Sequence, residues 1–297
     1  MSSPVVSASD ENQEVPQHNH VRIGGVRESS TPDLRSRDVQ WFHKSPGQLS
    51  PVFRALLEEY GRVAPEDVEQ HLISVRNLAW EVNPMPCLGR FLFTELHMVH
   101  DEELHKIVLK RLQSGDRLID VGCCLGQDIR KLIHDGAPAE NLVGLDLDER
   151  FFEAGFQLFQ DSDTKARFVK ANILHQSPAL DKMKRSFDMA YMDMFLHMLS
   201  WDDQITACKT IVSLLKPVQG SFFAGESAGH VHGIPTQATW NKLTFRHNEA
   251  SFKKLMQQVS EETRSRWDVK CQLIQGSGRT SWANQMNRRF LFQVTRL

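Results

Sequence analysis

The chain has 297 residues, enough for one large core with an appended helical region, and its 40% hydrophobic and 24% charged content is that of a globular protein. Thirty-five basic residues against 37 acidic ones give a net charge of −2, which leaves no global positive field to gather nucleic acid. No run of about 18 apolar residues appears, and the first residues carry neither a basic nor an apolar signal region, so the expectation is a soluble, cytoplasmic protein without membrane insertion.

In chain order, residues 1–40 are rich in Ser, Asn, Gln, Asp, Glu and Pro without periodicity and read as a disordered tail. His18 and His20 in it have no further ligands nearby and read as solvated. Residues 41–113 form an N-terminal helical cap. One helix is expected over 51–60, with Val52, Phe53, Leu56 and Leu57 on its apolar face. Pro65, followed by acidic Glu66 and Asp67, opens a second that runs through Val68, Leu72, Val75 and Leu78 toward Trp80. The sequence NPMPC breaks it at 83–87, and a third helix is expected over 101–113.

From residue 114 to 297 short apolar runs alternate with helical stretches, the pattern of a parallel sheet with covering helices. Strands are expected at 116–121, 141–146, 166–171, 187–192, 220–225, 268–274 and 289–295, the last two forming an edge hairpin. An insertion spans 226–267. The cysteines, Cys87, Cys123, Cys124, Cys208 and Cys271, form neither a disulfide nor a metal-ligand framework, so no metal is expected and a reducing compartment suits them.

Chemistry gathers at the strand ends. In RLIDVGCCLGQDIRKLI, residues 117–133, a strand ends in Asp120, a turn uses Gly122 and Gly126, and an amphipathic helix follows. Such a turn lets a ligand approach the backbone closely. The next strand ends in Asp146, with Leu147 beside it, and a carboxylate there can accept from both ribose hydroxyls of an adenosine ligand. The third ends at Asn172 and Ile173, where an amide oxygen and backbone can meet an adenine edge. The fourth runs into Asp193, Phe195 and His197; a carboxylate in so apolar a run needs a partner, whereas Met192, Met194 and Met198 read as core. His230, His232, Trp240 and His247 lie in the insertion and suit an aromatic or terpenoid acceptor.

The glycine turn resembles motif I of class I S-adenosylmethionine (SAM) dependent methyltransferases, with Cys124 in place of the central glycine. The resemblance implies an α/β Rossmann-like seven-stranded sheet with a helical N-terminal extension and SAM as cofactor. Asp120 would then orient the methionine part, Asp146 the ribose, and Asn172 the adenine, where the class usually has Asp. DMFL at 193–196 is unlike the Pro-Pro-Tyr or Pro-Pro-Phe sequence of amino-methylating families. GCCLGQD at 122–128, PCLGRF at 86–91 and the run over 58–93 are similar to fungal secondary-metabolite methyltransferases of meroterpenoid pathways, such as those of austinol and terretonin. Those enzymes methyl-esterify a carboxyl group on a farnesylated dimethylorsellinate scaffold. The resemblance implies a small-molecule acceptor and leaves a homodimer open.

A phenolic O-methyltransferase is the alternative within this family. It would need a general base, for which His197, His230, His232 and His247 are the candidates. A nicotinamide-dependent oxidoreductase shares the turn and the acid, but its G-x-G-x-x-G fingerprint wants glycine where Cys124 stands, and neither Tyr60 nor Tyr191 belongs to a Tyr-x-x-x-Lys pair. A non-catalytic methyltransferase-like regulator is the third reading, separable by turnover.

Overall fold

A computed structural model describes residues 35–237, 242–276 and 284–297. His18, His20, Trp240 and most of the tail lie outside the described residues. Residues 35–40 do not behave as tail: Trp80 Nε1 donates to the Arg35 carbonyl at 3.2 Å, and Arg37 pairs with Glu81.

The strands are β1 (Leu118–Val121), β2 (Leu142–Asp146), β3 (Arg167–Lys170), β4 (Met189–Asp193), β5 (Phe222–His230), β6 (Ile234–Gln237), β7 (Leu243–Arg246), β8 (Trp267–Ile274) and β9 (Asn287–Arg296). Seven form one sheet of order β3-β2-β1-β4-β5-β9-β8. Its first five strands are parallel, and β9 runs antiparallel between β5 and β8. All seven expected strands are present, with ends shifted by a few residues. Strand order reverses between β1 and β4, so a crevice opens at their carboxyl ends, where doubly wound sheets bind ligands.

The region read as an insertion divides differently. β5 continues to His230, five residues past its expected end, because β9 pairs with it along that whole length. Glu249–Thr263 is a covering helix that buries Phe252, Leu255, Met256 and Val259, a period no pocket-forming loop requires. Asn248 and Ser251 form its capping box. Among the described residues of the region, β6 and β7 pair with each other as a separate two-stranded ribbon.

Helices 201–214 and 249–263 cover one face of the sheet around Phe223, Phe252, Phe290 and Phe292. Helices 102–113, 127–134 and 150–159 contribute Leu104, Val108, Ile129, Leu132 and Phe152 to a second core with Leu118, Leu142, Met189 and Phe222 of the sheet. Asp101 caps the first by accepting from Leu104 N–H at 3.0 Å, with Glu102 and Glu103 at its start and Lys110 and Arg111 at its end, the polarity that the macrodipole favours.

The cap spans helices 51–60 and 68–82, the break and the turn 97–100. The first changes from α to π geometry at Leu56. Helix 68–82 buries Val68, Leu72, Val75, Ala79 and Trp80; Leu78 falls on the solvent side, 41% exposed. Phe53, Leu56, Leu57 and Leu72 share one core with Leu125, Phe151, Leu158 and Phe159 of the sheet domain. Each such buried side chain contributes about 1.5–3 kcal/mol, so the cap is anchored through helix 150–159 and is no detachable flap.

Candidate active site

The loop between β1 and helix 127–134 is wound through left-handed positions, with φ of 75° at Gly122, 50° at Cys124 and 67° at Gly126. The two glycines are needed for packing as much as for the turn. A Cβ at Gly122 would stand 2.6 Å from the Phe195 ring, and one at Gly126 would stand 2.4 Å from the Arg130 guanidinium and 2.8 Å from Phe168. Arg130, fully buried, supports the loop from below: it donates to the Leu125 carbonyl at 3.1 Å and forms a bidentate pair with Asp161 at 2.9 Å, which Tyr60 of the cap also contacts at 2.8 Å.

Asp146 closes this arrangement. Its carboxylate accepts from Cys124 N–H at 2.8 Å and Leu147 N–H at 2.7 Å. Burial raises its pKa, and those backbone donors oppose the rise. Leu147 beside it is 62% exposed, an apolar surface at the strand tip. Asn172 is placed at the end of β3, but its Oδ1 accepts from Leu174 N–H at 2.9 Å, a local turn that sequence reasoning missed; Ile173 is buried.

At the tips of β1 and β4 the chain buries acids. Asp120 and Asp128 are each 3% exposed, and Asp193 ends β4. Burial, then the charges of Asp128 and Asp193, raise Asp120 well above the usual carboxylate range; burial and Asp193 raise Asp128 to about 8. Asp128 Oδ1, Gln127 Oε1 and Asp193 Oδ1 are buried without a partner. Next along β5, Glu226 forms a bidentate pair with Arg289.

His97 of the cap completes the cluster, with Nδ1 2.8 Å from Asp193 Oδ2. Nothing in the local pattern marked it, because 96 positions separate the partners. Asp128 was more legible, as an acid in the first turn after a glycine loop.

The four histidines singled out as base candidates divide. His197 stands near the β4 tip, its backbone N–H bonded to Ser227 Oγ at 3.0 Å and its Nδ1 3.2 Å from the same oxygen. Burial and Arg246 push its imidazole down to about 3. His247 is a core residue: Nδ1 meets Ser251 Oγ at 2.9 Å and Nε2 meets Gln204 Oε1 at 2.7 Å, so both nitrogens are taken. Glu226 is level with Asp193, and His230 lies four residues further along β5, about 13 Å away at ordinary strand rise. His232 follows it, its N–H donating to His230 Nδ1 at 3.2 Å.

The sheet order, the glycine loop at the switch point and the acid at the β2 tip, with the "Methyltransferase domain" family model matching residues 118–218, define a class I SAM-dependent methyltransferase. A second model, "Meroterpenoid methyltransferase N-terminal domain", matches residues 41–94. The chain is 35% identical to an O-methyltransferase of Stereocaulon alpinum over 92% of its own length and 81% of that protein's. It is 36% identical to an O-methyltransferase of a further fungus (Fungal sp.), over 83% and 84% of the two chains. With the asnovolin E/chermesin D methyltransferase of Aspergillus novofumigatus it shares 30% identity over 73% and 78%. The chain therefore belongs to the fungal secondary-metabolite methyltransferases.

The residues present fit the cofactor. Three clustered acids, two of them pushed toward neutrality by burial and by one another, suit a ligand that carries both an ammonium and a sulfonium. Among the described residues no helix is long and apolar enough to cross a membrane.

Proposed function

We propose that the chain methylates a carboxylate oxygen of a small polyketide- or meroterpenoid-derived acid, giving a methyl ester. The observation that carries this reading is the setting of the two histidines beside the β4 tip. Burial pushes His97 down, but Asp193, Glu226 and Asp128 outweigh it and lift it to about 9, so it is a cation at neutral pH and no base. His197 is neutral, yet with a conjugate acid near 3 it is too weak by orders of magnitude to take a proton from a phenol near 10. A carboxylic acid near 4 arrives ionised and asks for no base. Its oxygen would take the methyl group while the electron pair of the broken C–S bond stays on sulfur, so no residue of the chain has to move a proton.

Bound SAM supplies the methyl group, activated on its sulfonium. In this reading Asp146 receives the ribose hydroxyls with Gly122, Cys124 and Gly126 beneath, and Leu147, Asn172 and Ile173 border the adenine. Asp120 and Asp128 would hold the ammonium, and Asp193 would stand toward the sulfonium. The cap, from helix 51–60 to the turn 97–100, excludes water from the acceptor, and holding the two reactants in line is worth roughly 7–11 kcal/mol. The setting is the cytoplasm, which suits the five free cysteines, with a small molecule and not a nucleic acid as partner.

The test is incubation with SAM and a panel of fungal aromatic and terpenoid acids, read by mass spectrometry before and after mild alkali. An alkali-labile methyl product supports the ester. An alkali-stable product from the same acids, with turnover lost on replacing one histidine, would move the assignment to a phenolic ether.

A further inference from the structure

His97 begins the short turn His97–His100 and is 5% exposed. Its Nδ1 is engaged by Asp193, whereas its Nε2 is buried with no partner. A bare buried N–H costs about 1–3 kcal/mol, so it asks for a partner that the fold itself does not supply. His97 also lines a cavity of about 280 Å³ with Met98, Leu104, Tyr191, Glu226 and Leu291.

The charges around it narrow what can enter. Asp120, Asp128, Asp193 and Glu226 are acidic, and Arg289 is occupied by Glu226. His100, with its ring 5.9 Å from that of His97, is pushed down by burial and by His97 itself, so it adds no charge at neutral pH. Lys270 of β8 also lines the cavity, but His97 is the cation held directly against Asp193, with a buried donor direction still open.

We propose that His97 docks the methyl acceptor, its Nε2–H donating to one oxygen of the acceptor carboxylate while Asp193 fixes the ring through Nδ1–H. This rests on the carboxylate reading above. One acceptor oxygen is then held and the other is left to take the methyl group.

Two substitutions separate this from a purely structural role. His97→Asn sets an amide nitrogen near the place of Nδ1 and keeps the Asp193 bond but loses the Nε2 donor; His97→Gln does the reverse. The probes are orsellinic acid and orsellinamide, titrated by calorimetry into protein saturated with S-adenosylhomocysteine, whose own affinity checks the fold. Docking predicts that wild type prefers the acid by roughly 10- to 100-fold, the worth of a charged hydrogen bond. The Asn variant should lose that preference and the Gln variant keep part of it, both with S-adenosylhomocysteine affinity unchanged. An Asn variant that binds the acid like wild type, while wild type forms the ester, overturns the docking role and leaves the carboxylate reading intact. Wild type that binds acid and amide alike and forms no ester overturns the reading itself. Should the Asn variant not fold, the Gln variant decides: complete loss of the acid preference there would refute docking.

Discussion

In the glycine loop and at the tip of β2 the polar groups are already held by the chain: Cys124 and Leu147 N–H satisfy Asp146, and Arg130 satisfies the carbonyls of Leu125 and Gly126. Across the crevice, between helix 127–134 and the tip of β4, Gln127, Asp128, Asp193 and His97 each keep a buried polar atom without a partner. One end is preorganised and the other is completed by what binds. Preorganisation lowers the ordering cost of binding, so the first end suits the invariant adenosine, and the second suits the groups that react and change charge.

The comparison breaks most visibly at Asp146. Asp146→Ala should lower SAM affinity roughly 10- to 100-fold, from a charged hydrogen bond worth about 1.5–3 kcal/mol. Because the carboxylate also ties down Cys124 and Leu147 N–H, the variant should melt lower as well. Asp146→Asn, which keeps one acceptor oxygen, should fall between. Calorimetric titration and thermal unfolding read both effects, and wild-type affinity in a folded alanine variant would displace the cofactor from this loop.

His247 sharpens the contrast from outside the crevice. His247→Gln should cost about 1–3 kcal/mol of stability, since Gln204 and Ser251 lose a shaped partner in the core. Turnover per folded molecule should stay within about tenfold. A fully stable variant with a thousandfold slower rate would instead make His247 the general base.

Asp128 tests the incomplete end through pH. Its folded value of about 8 lies above the ordinary carboxylate range, so between about pH 4 and 8 the folded chain holds a proton that the unfolded chain has released. The stability it contributes therefore falls as pH rises through that window. His97, lifted to about 9, slopes the same way above its ordinary value, while His197 and His247, lowered to about 3, slope the other way at lower pH. Subtracting wild type from Asp128→Asn cancels the His197 and His247 terms, whereas those of His97 and Asp120, both raised partly by Asp128, shrink along with that of Asp128 itself. The Tm advantage of the variant should grow from pH 5 to pH 8 and shrink with saturating SAM, whose cations favour the ionised acid. A pH-independent difference would mean that Asp128 is not held near neutrality.

How much of this was legible follows the same division. The strands, the glycine loop, Asp120 and Asp146 were readable because each rests on local pattern: apolar runs, a turn residue, an acid at a strand tip. The His97–Asp193 pair was not: Asp193 stood out as an acid in an apolar run, but its partner lies in the cap 96 positions away, and nothing in the local pattern marks His97. The insertion was misread for a related reason. His230 belongs to a long β5 only because β9 extends alongside it, and that pairing is a tertiary fact. The place of Asn172 just past the third strand was legible, while its bond to Leu174 N–H depends on the turn that follows.

The smallest effect expected concerns Cys124, the departure from the glycine pattern. Its φ of 50° lies in the left-handed region, which costs an L-residue about 1–2 kcal/mol. Glycine there would remove that strain, but it raises the entropy lost on folding by about 0.5–1 kcal/mol and gives up the packing of the thiol against the cap core. These terms oppose one another, so Cys124→Gly should shift stability by no more than about 1 kcal/mol. The contact with Asp146 is made by the backbone N–H, which glycine keeps, so SAM affinity should stay within about threefold. Cys124→Val makes the opposite case, because a β-branched residue is a true outlier at this φ, and about 2 kcal/mol or more should be lost. Denaturant unfolding and SAM titration of the two variants decide it. If glycine binds SAM tenfold more weakly while valine folds like wild type, the thiol is a ligand contact and the backbone is not what shapes this turn.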